Sequence, residues 1–333
     1  MNLNMDNPSN QCLYSSVLGA IGHTPLVDLS RLMNPSKGRI LAKLEYLSPG
    51  HSKKDRIALA IIESAENRGE LSSGQTVVEM TSGNTGTGLA IVCAVKKYPF
   101  VAVMSEGNSM ERVRMMRAFG AEVHLVPQLS GGKSGCVRGE DLAQVEEVAR
   151  ELAQDRSAFL VDQFIRRENS TAHALGTAQE ILRQTGGKID GFCDFLGTGG
   201  TFAGCAMAFK KVDPSIRTYA IEPTGAAVVA GDAISSSQHP IQGGGYARPL
   251  PLVDAEFVDA FVTVTGADAI EWARRLAKQE GIFGGYSAGA NVAVAARLLE
   301  DEMRGKTIVT MICDSGMKYL STDLWSESAA DSV

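Results

Sequence analysis

A chain of 333 residues is long enough for a large buried core and for two domains, and 44% hydrophobic with 21% charged residues reads as an ordinary globular protein. A formal net charge of −6, with no basic stripe interleaved with aromatics, speaks against a nucleic-acid partner. No run reaches the ~18 apolar residues of a membrane-spanning helix, and the polar start MNLNMDNPSNQCLYSS has no signal-peptide core, so a cytoplasmic protein away from membranes is expected.

Strand and helix signals alternate along the chain. The apolar run RILAKLEY (39–46) predicts a strand, and SPGHSKKDR (48–56) leads from it into a helical pattern over 54–69. TVVEM (76–80) predicts the next strand, followed by the turn TSGNTG and a helix over 87–97. A strand at 100–104, a helix at 109–120 and a strand at 121–126 follow. Residues 128–141 form a Gly/Ser-rich connection, longer than ordinary loops, before a helix at 141–154. AFLVDQF (158–164), a helix at 173–186 and GFCDFL (191–196) come next, then GTGGT (197–201) opening a helix to 212. RTYAIEP (217–223) predicts a strand, 243–245 is a glycine triplet, and helices at 268–281 and 287–303 precede a last strand at 307–314. Gly69, Gly120 and Gly281 fall where helices should end. This alternation predicts an α/β fold of two domains, each a mostly parallel sheet covered by helices on both faces. Ligands of such sheets sit beyond the carboxyl ends of the strands, so the glycine-rich turns there are the places to search.

In GTGGTFAG the amides of a tight glycine turn and of a helix N-terminus would make a phosphate site, with Thr198 and Thr201 adding hydroxyls. A dinucleotide site is the competing reading, since Gly197 and Gly199 give GxG and Glu222 ends the next strand. Phe202 stands where that pattern needs a small residue, and a purely structural glycine turn is the third reading. GGKS (131–134) misses the nucleotide-loop pattern because Pro127 occupies the required glycine position. The six cysteines (Cys12, Cys93, Cys136, Cys193, Cys205, Cys313) and the five histidines lack ligand spacing, so packed thiols and no metal are expected.

Lys53 and Lys54 stand at the start of a helix, where the dipole disfavours cations. The plain reading is that both are solvated. A catalytic reading needs one of them desolvated, which lowers its pKa and frees a nucleophilic amine.

Taken in order, SKKDR, TSGNTG, GTGGT and GGYSAGA (284–290) closely resemble the cysteine synthase and cystathionine β-synthase group of pyridoxal-phosphate enzymes. The resemblance extends from IGHTPLVDLSRL (21–32) to DSGMKYLST (314–322), and includes MERVRMMRAFGAEV, DQF (162–164), IEP (221–223) and HPIQGGG (239–245). It implies the fold-type II, tryptophan synthase β-like architecture. The smaller domain would span 45–157, and residues 1–44 plus 158–333 would form the larger, cofactor-binding one. It also implies a homodimer and pyridoxal 5'-phosphate as cofactor. The implied activity is β-replacement on an activated serine by sulfide or a similar nucleophile, with a cystathionine β-synthase-like condensation or another pyridoxal-phosphate β-elimination or replacement as the near alternative. Apart from the resemblance, GTGGT with Glu222 leaves an NAD-dependent oxidoreductase as a remote alternative.

Residue by residue, Lys54 matches the lysine that carries the cofactor, with Lys53 at a variable position. Asn84 matches the partner of the ring hydroxyl, and Gly197, Thr198, Gly199, Gly200 and Thr201 match the phosphate loop. Ser287 matches the partner of the pyridine nitrogen. Thr81, Ser82, Thr85 and Gln163 match the holders of the substrate carboxylate. The chain departs from the family pattern at Met80, at the 243–247 stretch and at Met317 and Lys318. These departures are expected to affect the substrate entrance and to touch none of the cofactor positions.

Overall fold

The computed structural model describes residues 13–129, 139–236 and 239–326; the GGKS stretch, Cys12 and Cys136 lie outside them. The strands are β1 (Leu26–Asp28), β2 (Gly38–Leu44), β3 (Val77–Met80), β4 (Phe100–Ser105), β5 (Glu122–Val126), β6 (Phe159–Leu160), β7 (Gly191–Phe195), β8 (Arg217–Pro223), β9 (Ala260–Val264) and β10 (Lys306–Ile312). The helices are α1 (Lys54–Asn67), α2 (Asn84–Lys96), α3 (Met110–Ala118), α4 (Gly139–Asp155), α5 (Glu168–Ala172), α6 (Ala178–Thr185), α7 (Gly200–Val212), α8 (Gly266–Arg275) and α9 (Tyr286–Glu300).

The strands sort into a six-stranded sheet of order β1-β2-β10-β7-β8-β9 and a four-stranded sheet of order β5-β4-β3-β6. Every pairing is parallel except β1 on β2. β3, β4 and β7 are buried along their whole length, which is why they read as unbroken apolar runs rather than alternating ones. The last strand is threaded between β2 and β7, in register from Lys306 opposite Gly38 to Ile312 opposite Leu44. That order sets three chain segments side by side at one sheet edge: the approach to Lys54 after β2, the turn after β10 and the glycine loop after β7.

One apolar cluster packs α8 and α9 on the larger sheet, with Tyr219, Val264, Ala273, Val292 and Ile308. A second is continuous from Phe192, Phe209 and Val309 of the larger half to Val78, Val101 and Val103 of the smaller sheet. A third joins α1 and α2 to the far face of that sheet through Ile61, Leu89, Val92 and Ala102. Helix α1 is further pinned by a buried ionic knot: Arg56 Nε donates to Glu45 Oε2 at 2.7 Å and Nη1 to Glu180 Oε1 at 2.7 Å. Lys43 Nζ also meets Glu180, at 2.7 Å. Burial opposes the charge on Glu180, but Arg56 and Lys43 overcome it and hold the carboxyl at about 2.

The predicted strands and helices recur within a few residues, and Gly69, Gly120 and Gly281 have the positive φ of helix-ending residues. Three differences have physical causes. The predicted strand 158–164 pairs only over Phe159–Leu160, because Asp162 turns into the left-handed region (φ 52). Its amide donates to Glu79 at 2.8 Å, which steers the chain off the sheet. This short β6 lies just past residue 157 yet belongs to the four-stranded sheet. The helical patterns at 173–186 and 268–281 contain π-turns at His173–Thr177 and Leu276–Glu280. Finally, β1 and β9 were not among the predicted strands; both lie on sheet edges and are mostly half-buried, so their apolar signal is brief.

Candidate active site

Ser52 forms a β-bridge with Asp314, and the Lys53 amide donates to the Cys313 carbonyl at 2.9 Å, fixing the start of α1 to the end of β10. Neither lysine is solvated, in contrast to the plain sequence reading. Lys53 is buried against the larger sheet with Nζ 2.9 and 2.7 Å from the two oxygens of Asp194. Burial opposes its charge, but Asp194 overcomes that and keeps the ammonium protonated. Lys54 is buried too, and among the described residues it enters no ion pair. Burial first, then the charge on Lys53, push its amine down to about 8.

The turn after β3 is built by its own side chains. Thr81 Oγ1 accepts from the amides of Gly83 and Gly86, each at 2.9 Å. Gly83 has φ +125, and a Cβ there would stand 2.4 Å from Cδ of Arg112, so only glycine fits. Arg112 lies beneath, with Nη1 donating to the Ser82 carbonyl at 2.6 Å and its guanidinium 4.7 Å over the Tyr319 ring. Thr85 donates to Gln163 Oε1 at 2.6 Å, and Gln163 Nε2 donates to the Met80 carbonyl at 3.0 Å. The chain's departure from the sheet at Asp162 is therefore what delivers Gln163 to the turn.

The loop after β7 opens α7, with Gly199 at φ +83. A Cβ on Gly200 would stand 2.0 Å from Oδ1 of Asn169. Asn169 Nδ2 donates to Thr198 Oγ1 at 2.9 Å, and Thr201 Oγ1 lies 3.2 Å from Nε2 of His173. Burial, with Arg56, Lys53 and Lys54 near it, holds that imidazole well below its ordinary value, so it is neutral. Glu222, the residue a dinucleotide site would need for ribose, has both oxygens taken by the amides of Val229 and Ala230 at 3.0 and 2.9 Å. That removes the structural support for the NAD reading.

One pocket is lined by Lys54, Thr81, Ser82, Asn84, Thr85, Gln163 and Thr198, together with Met80, Arg112, Phe164 and Tyr246. Gly197, Gly199, Gly200, Thr201 and Ser287 are not on its lining. The first four continue the turn that carries Thr198. Ser287 stands in the first turn of α9, and its side chain hydrogen-bonds the Cys313 thiol beside Asp194. No carboxylate lines the pocket, whereas Lys54 and Arg112 do, so the lining favours an anion. Among the described residues no His, Cys, Asp or Glu cluster could hold a metal.

Sequence reasoning missed Tyr246, whose hydroxyl lies 3.0 Å from Ser82 Oγ. Among the departures, Met80 lines the pocket, in keeping with an effect on the substrate entrance, whereas Lys318 donates to Oδ1 of Asn84, a residue the resemblance implies for the cofactor, at 2.7 Å, a contact that was not expected. Lys318 sits in the 3-10 turn Gly316–Tyr319, which packs by the start of α3, where Ser109 donates to the Lys318 carbonyl at 3.0 Å.

A buried amine free of carboxylates, a glycine cradle at a helix N-terminus and an anion-holding turn suit a phosphorylated aldehyde cofactor. The pyridoxal-phosphate-dependent enzyme family matches residues 17–314. The chain belongs to that family. A cysteine synthase of Staphylococcus aureus is 40% identical over 307 residues, covering 92% of this chain and 95% of that protein. The crystal structure of O-ureido-L-serine synthase superposes with a TM-score of 0.86 at 38% identity, covering 96% of this chain and 98% of that one. That of a cysteine synthase from Entamoeba histolytica gives 0.88 at 34%, covering 99% and 97%. The protein is thus a fold-type II pyridoxal-phosphate enzyme of α/β architecture, as the motifs implied.

Proposed function

We propose that this enzyme performs β-replacement on an O-acetylserine-like donor, with sulfide or a similar nucleophile, giving L-cysteine or a related β-substituted alanine. The observation that carries the reading is the Lys54 amine, buried, unpaired and lowered to about 8, facing the turn at Thr81–Thr85 across one pocket. When bound, pyridoxal phosphate supplies the electron sink for a carbanion at the substrate Cα. The residues of this chain do the rest.

The glycine turn Gly197–Gly200, with Thr198 and Thr201, would hold the phosphate, and Ser287 would meet the pyridine nitrogen with a neutral hydroxyl. Asn84 would meet the ring oxygen. Thr81, Ser82, Thr85 and Gln163 would hold the substrate α-carboxylate on the open end of α2. That grip sets the Cα hydrogen toward Lys54, whose free amine takes the proton as general base. The leaving group departs from Cβ, the nucleophile adds there, and Lys54 returns the proton to Cα. Phe164 and Tyr246 lie on the pocket lining, where they would limit water at the reacting carbon.

Residues 45–157 acting as the smaller domain against the remainder, homodimer assembly and a cytoplasmic setting belong to the same reading. Among the described residues no helix is long and apolar enough to cross a membrane, and β6 carries the smaller sheet a few residues past 157. Lys54→Ala should reduce cysteine formation from O-acetylserine and sulfide by at least about a thousandfold, since it removes both the cofactor attachment and the base. Undiminished turnover would sink the mechanism.

A further inference from the structure

We propose that Lys318 is a positioning residue that fixes the orientation of the Asn84 carboxamide, so that Asn84 presents an N–H donor to the pocket. The inference rests on the reading that Asn84 meets the cofactor's ring oxygen.

A carboxamide can be turned either way, and geometry alone does not say which end is oxygen; its partners do. One end of the Asn84 amide lies 2.7 Å from Oδ2 of Asp314, and the other lies 2.7 Å from Nζ of Lys318. An ammonium only donates, so the amide oxygen must face Lys318, which leaves the nitrogen facing Asp314. With its oxygen turned to Lys318 and one N–H given to Asp314, Asn84 keeps the second hydrogen of Nδ2 as a donor for the pocket it lines.

Lys318 is held for this task from several sides. Its ammonium also donates to the Gly50 carbonyl at 2.7 Å, in the segment leading to Lys54. Its own carbonyl accepts from Ser109 at 3.0 Å. Tyr319, the next residue, donates to Asp314 Oδ2 at 2.6 Å. The side chain is fully buried, yet among the described residues it is within ion-pair distance of no carboxylate. A buried ammonium whose direct partners are two neutral carbonyl oxygens is expensive for stability alone. Burial lowers it to about 8, with Asp314 and Asp55 opposing the shift, so it remains charged at neutral pH.

The consequence falls on the cofactor's ring oxygen. A hydrogen-bond donor there stabilises the ionised oxygen, and a carbonyl presented instead stabilises the protonated one. The two forms absorb in separate bands, longer wavelength for the ionised oxygen, so their ratio reports which end of Asn84 is presented.

The test is the visible spectrum of the cofactor-loaded enzyme at pH 7 for the wild type, Asn84→Ala, Lys318→Met, Lys318→Gln and Lys318→Arg. Lys318→Met removes the donor, and Lys318→Gln can donate or accept and so imposes no orientation; the latter decides the matter if the former does not fold. Both should lower the ratio of long- to short-wavelength bands by about fivefold, the ratio commanded by one ordinary hydrogen bond. Lys318→Arg keeps a donor-only cation and should keep the wild-type ratio. If Asn84→Ala moves the bands while Lys318→Met and Lys318→Gln leave them unchanged, the inference is overturned and the Asn84 reading stands. If Asn84→Ala leaves them unchanged as well, both fall. A merely structural Lys318 would lower thermal stability and cofactor affinity without altering the ratio, and Lys318→Arg behaving like Lys318→Met would also refute the inference.

Discussion

Lys53 and Lys54 are adjacent, equally buried and chemically opposite. Asp194 surrounds the first and keeps it charged, while burial and that neighbouring charge lower the second to about 8. Below that value Lys54 is an ammonium that cannot attack the cofactor aldehyde; above it the amine is free. The rate at which the apoenzyme captures pyridoxal phosphate should therefore rise about tenfold per pH unit up to about 8 and level off beyond it. Stopped-flow absorbance gives this profile directly, and a rise continuing toward 10 would mean that Lys54 is solvated after all. Replacing Asp194 by Asn should destabilise the fold by about 3–5 kcal/mol in urea titrations, because Lys53 would be left buried without its counter-charge. An unchanged unfolding midpoint would show that water reaches Lys53.

At the scale of elements, the site depends on where strands stop and helices start. The glycine after β7 that opens α7 has no room for a side chain, so Gly200→Ala should expel Asn169 from its contact with Thr198 and weaken cofactor binding by at least about tenfold, measured by fluorescence titration. Wild-type affinity would mean that the loop does not hold the phosphate. These elements were the legible part of the sequence. TSGNTG, GTGGT and the SKKDR stretch that carries Lys54 are local signatures, since a tight turn and an anion site write their needs into consecutive glycines and hydroxyls. The buried parallel strands were legible as apolar runs. What escaped are partners joined by folding across long stretches of chain: Lys53 with Asp194, 141 residues apart; Ser82 with Tyr246, 164 apart; and Lys318 with Asn84, 234 apart. A pairwise contact at such separation leaves no periodicity or spacing in a single sequence. Lys318 was visible only as a departure from a family pattern, and that could not show which residue it would touch.

On the scale of the whole molecule, the pocket lies between two sheets, and each contributes to it. The turn after β3 comes from the four-stranded sheet, and Tyr246 from a loop packed on the glycine turn of the larger one, where the Gly245 amide donates to the Leu196 carbonyl at 3.0 Å. The Tyr246 hydroxyl on Ser82 therefore links the two sides of the pocket. Tyr246→Phe should raise the KM for the amino-acid donor by about fivefold with little change in kcat, as expected for one hydrogen bond that holds Ser82 in place for the substrate carboxylate. Equal losses in kcat and kcat/KM would instead assign the tyrosine to the transition state. The central claim, β-replacement by way of Lys54, is tested most directly by the visible spectrum of the cofactor-loaded enzyme during addition of O-acetylserine and then sulfide. The account predicts that O-acetylserine replaces the resting band by a new one and that sulfide restores the original as cysteine forms. A resting band untouched by O-acetylserine, in an enzyme that carries its cofactor on Lys54, would contradict it.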